Sequence, residues 1–238
     1  MKVRAIQLMS LLFIICLSTG AVAQQTIQAS DILNDIQEGK NISYENVTIS
    51  GALDLTFMDE KVSELPKKSK WWKNGNNTVE EEIESRISFV NCTFSDDVLA
   101  YIHVESSGYT FIASFENDLK FENCTFSDKA MFKYSEFEGD TSFAGTKFQD
   151  DSTFKYAKFD NMANFENAVF SEDAIFKYSK FSEGVSFNNT RFEDNLNIKY
   201  TKVKGKFDTN NMFVGGDVDA KYTSINNESF TKQLLNKN

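Results

Sequence analysis

Residues Phe121–Phe159, FENCTFSDKAMFKYSEFEGDTSFAGTKFQDDSTFKYAKF, decide the fold of this chain. Phenylalanine recurs at alternating steps of five and six residues, a rhythm that runs on through Phe165, Phe170, Phe176, Phe181 and Phe187 to Phe192. A helical face needs a period of about 3.6 residues and a strand face about 2, so neither element alone produces this spacing. A solenoid does, because each coil buries the same ring of side chains.

A second period sets the size of the coil. FKYSEF at Phe132, FKYAKF at Phe154, FKYSKF at Phe176, IKYTKV at Ile198 and AKYTSI at Ala220 begin 22 residues apart. One turn therefore holds 22 residues in four short sides, and Lys-Tyr marks only one of its corners. Two positions before each ring stands a small residue, among them Ala130, Ser135, Thr141, Thr146, Ser152, Ala157 and Ala163. Large and small side chains both point inward and share a narrow interior. Asn123, Gly145, Asn167, Asn189 and Asn211 recur at another corner, where Asn and Gly tolerate left-handed turn dihedrals.

This centre-plus-small pattern resembles the pentapeptide-repeat proteins. The resemblance implies an all-β fold, a right-handed quadrilateral parallel β-helix with about 22 residues per coil and short helical caps. It covers roughly residues 41–56, 87–100 and 115–225, with phenylalanine in place of the usual leucine centres and a sixth residue on alternate sides. Some members of that family imitate DNA and inhibit topoisomerases, a role that an exported chain would have no cytoplasmic target for.

Around the repeat, Lys2 and Arg4, the apolar run Leu8–Leu17 and Ala21-Val22-Ala23 predict a secretory signal over residues 1–23, hence a secreted or periplasmic protein starting at Gln24. Bulky Ile15 before Cys16 speaks against a lipoprotein anchor, and no segment is long and apolar enough for a membrane span. Residues 24–40 are expected to form an N-terminal capping helix begun by Ser30 and ended by Gly39. The β-helix is expected over 41–225, with insertions at about 57–86 and 101–114, and a C-terminal cap over 226–238. The register is expected to slip after Val203, around Phe207, Met212 and Phe213.

The formal charge of −10 disfavours generic binding to nucleic acid. Three features are candidates for function. The first is a stripe of Lys133, Lys155, Lys177, Lys199 and Lys221 beside Tyr134, Tyr156, Tyr178, Tyr200 and Tyr222, thickened by Lys158, Lys180 and Lys202. Cations next to tyrosines suit acidic glycans or a carboxylate-rich partner, although duplicated solvated residues would look the same. The second is the first insertion, where Trp71 and Trp72 stand among Lys67, Lys68, Lys70 and Lys73. Exposed tryptophan favours partner or glycan contact. The third is the acidic column Asp128, Asp150, Glu172 and Asp194, for which charge compensation is a plainer explanation than a cation.

Cys92 and Cys124 occupy matching strings, FVNCTF and FENCTF. Coils about 4.8 Å apart would permit a disulfide, and both residues would equally serve as small core side chains. The sole histidine, His103, lies in the second insertion without a nucleophile or histidine partner, and no phosphate loop is present. The expectation is therefore a non-enzymatic exported scaffold for protein–protein interaction or envelope structure, with no cofactor, no metal and an unidentified protein or glycan partner. The alternative is a carbohydrate-binding module using the Trp insertion and the Lys-Tyr stripe.

Overall fold

The computed structural model describes residues 24–62, 65 and 77–235, with side chains as far as Lys232. The chain winds as a right-handed quadrilateral parallel β-helix whose four faces are four sheets. The first face runs from Ile42–Glu45 through Ile87–Val90 and Leu119–Glu122 to Lys206–Asp208. The second runs from Gln25–Gln28 and Val47–Ser50 to Phe213–Val214, and the third from Leu53–Asp54 to Val218–Asp219. The fourth runs from Thr78–Ile83 to Ser224–Ile225, closed by the antiparallel strand Glu228–Ser229.

Backbone hydrogen bonds run along the solenoid axis from coil to coil, as in Phe154 N–H to Ile175 O at 2.8 Å and Lys158 N–H to Ser135 O at 3.0 Å. This pairing aligns like with like. Phe126, Phe148, Phe170 and Phe192 are successive register partners on the second face. Their rings stack at 5.1, 4.4 and 4.9 Å, while rings from the opposite first and third faces meet edge to face across the interior, as Phe154 and Phe165 do at 5.3 Å and 82°. Each such pair contributes about 0.5–1.5 kcal/mol beyond its buried area. The phenylalanine ladder is thus the core, and all its members from Phe121 to Phe192 are buried.

The small column has its own task. Hydroxyls of Ser179, Thr190 and Thr201 donate to the carbonyls of Phe154, Phe165 and Phe176 at 2.6–2.7 Å, satisfying buried oxygens in the coil beneath. The Asn and Gly corner is left-handed as its residue types require, with φ of 52–67° at Asn123, Gly145, Asn167, Asn189 and Asn211.

Four expectations from the sequence are corrected. First, the helix α1 spans Ala29–Gln37 and is capped by Gln28, which makes no side-chain cap bond, so Ser30 lies inside it. Gln25–Gln28 extends the second face against Val47–Ser50, and this extended run ends one residue before the helix. Ile32 and Ile36 then cover the N-terminal end of the core, and Gly39 closes α1 with φ of 73°. Second, the first insertion rejoins the solenoid earlier than residue 86. Thr78–Ile83 already pairs in parallel with Thr110–Phe115, and before the excursion Phe57 is buried in the core ahead of a short helix α2, Met58–Val62.

Third, the second insertion is a hairpin that includes a solenoid strand. Tyr101–Val104 lies antiparallel to Tyr109–Ile112, and Tyr109–Phe115 continues the fourth face. Fourth, the register does not slip after Val203. Val185 pairs with Phe207, Phe192 with Val214 and Leu196 with Val218, each a step of 22 residues. What changes is side-chain size. Phe207 and Met212 occupy the small column, Val214 a centre, and Phe213 turns outward beneath the Arg191 guanidinium at 4.5 Å. The last helix α3, Phe230–Leu235, brings the Phe230 ring to 6.2 Å from Phe207. Among the described residues no helix is long and apolar enough to cross a membrane.

Candidate functional site

The corner between the third and fourth faces carries the Lys-Tyr stripe. The carbonyls of Lys155, Lys177, Lys199 and Lys221 each accept from the tyrosine N–H one coil before, as at Tyr156 to Lys177 and Tyr178 to Lys199. The tyrosine rings form a continuous stack: Tyr134–Tyr156 at 4.8 Å, Tyr156–Tyr178 at 4.6 Å, Tyr178–Tyr200 at 4.7 Å and Tyr200–Tyr222 at 4.9 Å. Every lysine ammonium of the row lies 5.0–5.8 Å from the ring centroid of its own tyrosine, within cation–π reach.

The backbone at these tyrosines is left-handed throughout, with φ of 60–68° at Tyr134, Tyr156, Tyr178, Tyr200 and Tyr222. For a bulky side chain this conformation costs about 1–2 kcal/mol per residue. The Asn and Gly corner shows that the same solenoid elsewhere places compatible residues in that conformation. Stacking returns part of the strain, and five successive coils retain the costly residue.

The row also concentrates charge. Lys155 is pushed below its ordinary value first by burial and then by Lys133 and Lys177 on either side. Lys158 pairs with Glu136, and Lys199 lies 3.7 Å from Asp219. Among the described residues Lys155, Lys177, Lys180, Lys202 and Lys221 make no ion pair. Tyr101 joins the stripe unforeseen by the repeat spacing. Its ring is 5.9 Å from Tyr134, and its hydroxyl accepts from Lys133 Nζ at 3.0 Å. The signal was legible in VLAYIH, where Ala100 aligns with Phe132 and places Tyr101 level with Lys133.

Trp71 and Trp72 fall outside the described residues, as does the expected signal segment 1–23. Cys92 and Cys124 are free and buried, one coil apart beside the paired residues Thr93 and Thr125. Cys92 Sγ donates to Val90 O at 3.3 Å and Cys124 Sγ to Phe89 O at 3.4 Å. The two neighbouring thiols shift one another in opposite directions, Cys92 down to about 7 and Cys124 up, with burial raising Cys124 further. His103 Nδ1 bonds Thr110 Oγ1 across the hairpin at 2.9 Å. In the acidic column, Asp128 and Asp150 accept from the next residue's N–H, and among the described residues no carboxylate, Cys or His group forms a metal cluster.

A second acidic patch flanks the fourth face, where burial, then Glu84, Glu82 and Glu138, raise Glu116.

A family model described as pentapeptide repeats matches residues 113–158 and 154–202, the stretch that contains the regular coils. These coils are pentapeptide repeats. The matched span holds the Lys-Tyr rows from Lys133 to Tyr200, so the candidate edge is built on regular family coils rather than on the insertions. No curated protein and no solved structure matches the chain.

Proposed function

We propose that this protein is an exported, non-enzymatic scaffold that presents a rigid surface for protein–protein interaction or envelope structure. The carrying observation is the five-coil tyrosine stack in left-handed backbone with its attendant lysines. A side chain retained against backbone preference marks a position held for what it presents. The parallel solenoid supplies the rigidity, since each coil is hydrogen-bonded to its neighbours over all four faces. The signal-like segment before Gln24 supports export.

The test has two parts. N-terminal analysis of protein recovered from fractionated source cells is expected to give Gln24 outside the cytoplasm. Envelope extract passed over immobilised mature protein is expected to leave a component that a Lys155→Gln/Lys177→Gln/Lys180→Gln/Lys202→Gln variant fails to retain. Equal retention by both proteins contradicts the proposed surface, and an unprocessed cytoplasmic chain contradicts export.

A further inference from the structure

We infer that the Lys-Tyr edge binds a linear acidic polysaccharide lying along the solenoid axis, an assignment that rests on the scaffold reading above and names its ligand. The edge presents donors. Lysine ammonium groups of two columns, Lys155 and Lys177 at the corner and Lys180 and Lys202 on the adjoining face, stand without ion pairs among the described residues. Tyrosine hydroxyls line the same corner. The chain as a whole carries −10, so this row of positive charge runs against its surroundings and repels itself at Lys155. An anionic ligand relieves that repulsion.

The stacking narrows the ligand further. Rings 4.6–4.9 Å apart cover one another's faces, so within the row no tyrosine face is open to a sugar ring or a nucleobase. Single-stranded nucleic acid gains much of its affinity from stacking on open aromatic faces, which this row does not offer. What the edge offers is a file of like donors at coil spacing. Successive coils present the same Lys-Tyr pair at Lys133, Lys155, Lys177, Lys199 and Lys221, so the file has no positional code. It suits a partner whose anionic group is the same at each unit. An extended peptide shows one face every two residues, about 6.8 Å, out of step with coils about 4.8 Å apart. A chain of one acidic sugar displays identical carboxylates and hydroxyls along its whole length, and both groups accept from ammonium and phenol donors.

Polygalacturonate is the probe, with neutral dextran and poly-glutamate as comparisons, measured by calorimetry on the mature protein. Saturable binding to polygalacturonate is expected, weakened by salt and absent for dextran. The four-lysine variant is expected to lose at least about tenfold in affinity, since several exposed charge contacts are removed together. Its circular dichroism should match the parent, and the reducing ends of the polymer should stay constant during incubation. No binding, or equal or tighter binding to poly-glutamate, overturns the polysaccharide assignment. If envelope extract is still retained in that case, the scaffold reading stands and its partner is a protein. Loss of envelope retention as well removes both.

Discussion

Tyr156 and Tyr178 lie face to face with ring centroids 4.6 Å apart and planes 1° from parallel, on backbone that is left-handed at both residues, with φ of 64°. One coil apart in a parallel helix, the two side chains have no freedom to avoid each other. Stack and strain are therefore opposed within the same residues. Four stacked pairs contribute about 0.5–1.5 kcal/mol each, and five left-handed tyrosines cost about 1–2 kcal/mol each, so stacking returns only part of the strain and the row is a net cost to folding.

Lys155 gives the row a pH signature. Its folded value lies below the ordinary one, so below that value it is charged in both states and the native state carries the full penalty of burial and of Lys133 and Lys177. As pH rises through the folded value toward 10.5 the native protein loses this proton first, and stability from this group increases. Lys155→Met is therefore expected to raise urea-unfolding stability near pH 7, with the gain shrinking toward about pH 10. A gain that is flat or grows with pH contradicts the assignment.

Ser135 marks a buried hydroxyl out of place. Its oxygen has no hydrogen-bond partner, whereas Ser179 in the same column donates to Phe154 O at 2.7 Å. The coil beneath Ser135 is the one interrupted by the Tyr101–Val104 hairpin. Ser135→Ala should stabilise by about 1 kcal/mol, because an unsatisfied buried polar group is removed, while Ser179→Ala should destabilise by a similar amount. Chemical denaturation of the two variants checks the pair of opposite signs.

Two glycines separate dihedral strain from close approach. Both are left-handed, but a Cβ on Gly39 meets nothing within 4 Å, whereas on Gly184 it would lie 2.3 Å from Lys206 O. Gly39→Ala is expected to cost about 1 kcal/mol and Gly184→Ala clearly more, with the first face prised apart between Gly184 and Lys206. Equal losses in thermal unfolding would contradict the contact.

Cys92 and Cys124 are each 1% exposed, so native protein starting at Gln24, and thus without Cys16, is expected to resist iodoacetamide and to take up two equivalents only in denaturant. Mass spectrometry decides it. Fast native labelling would place the thiols elsewhere, and denatured protein that refuses label without reductant would show a bridge.

The fold was legible because its information is periodic. Phe121 to Phe192 report coil size, and Asn123 and Asn167 report a left-handed corner, since residue type and conformation agree there. The tyrosine corner was legible as a row but not as strain, because nothing in Lys-Tyr favours a positive φ. The last coil was misjudged for a related reason. Phe207 and Met212 occupy small-residue positions, so a reading that follows ring size sees a slip where the strand pairing sees none. Ser30 misled because a good capping residue sits one position inside a helix whose start is set by the pairing of Gln25–Gln28.

The central claim is that the five tyrosines are held for what the corner presents. Replacing Tyr134, Tyr156, Tyr178, Tyr200 and Tyr222 together by asparagine, the residue that other corners of this solenoid use at the same sign of φ, tests it most directly. The account predicts that the variant is at least as stable as the parent, because the strain relieved outweighs the stacking lost, while ligand retention by the edge collapses. A variant that loses most of its folding stability, or that keeps full retention, contradicts it.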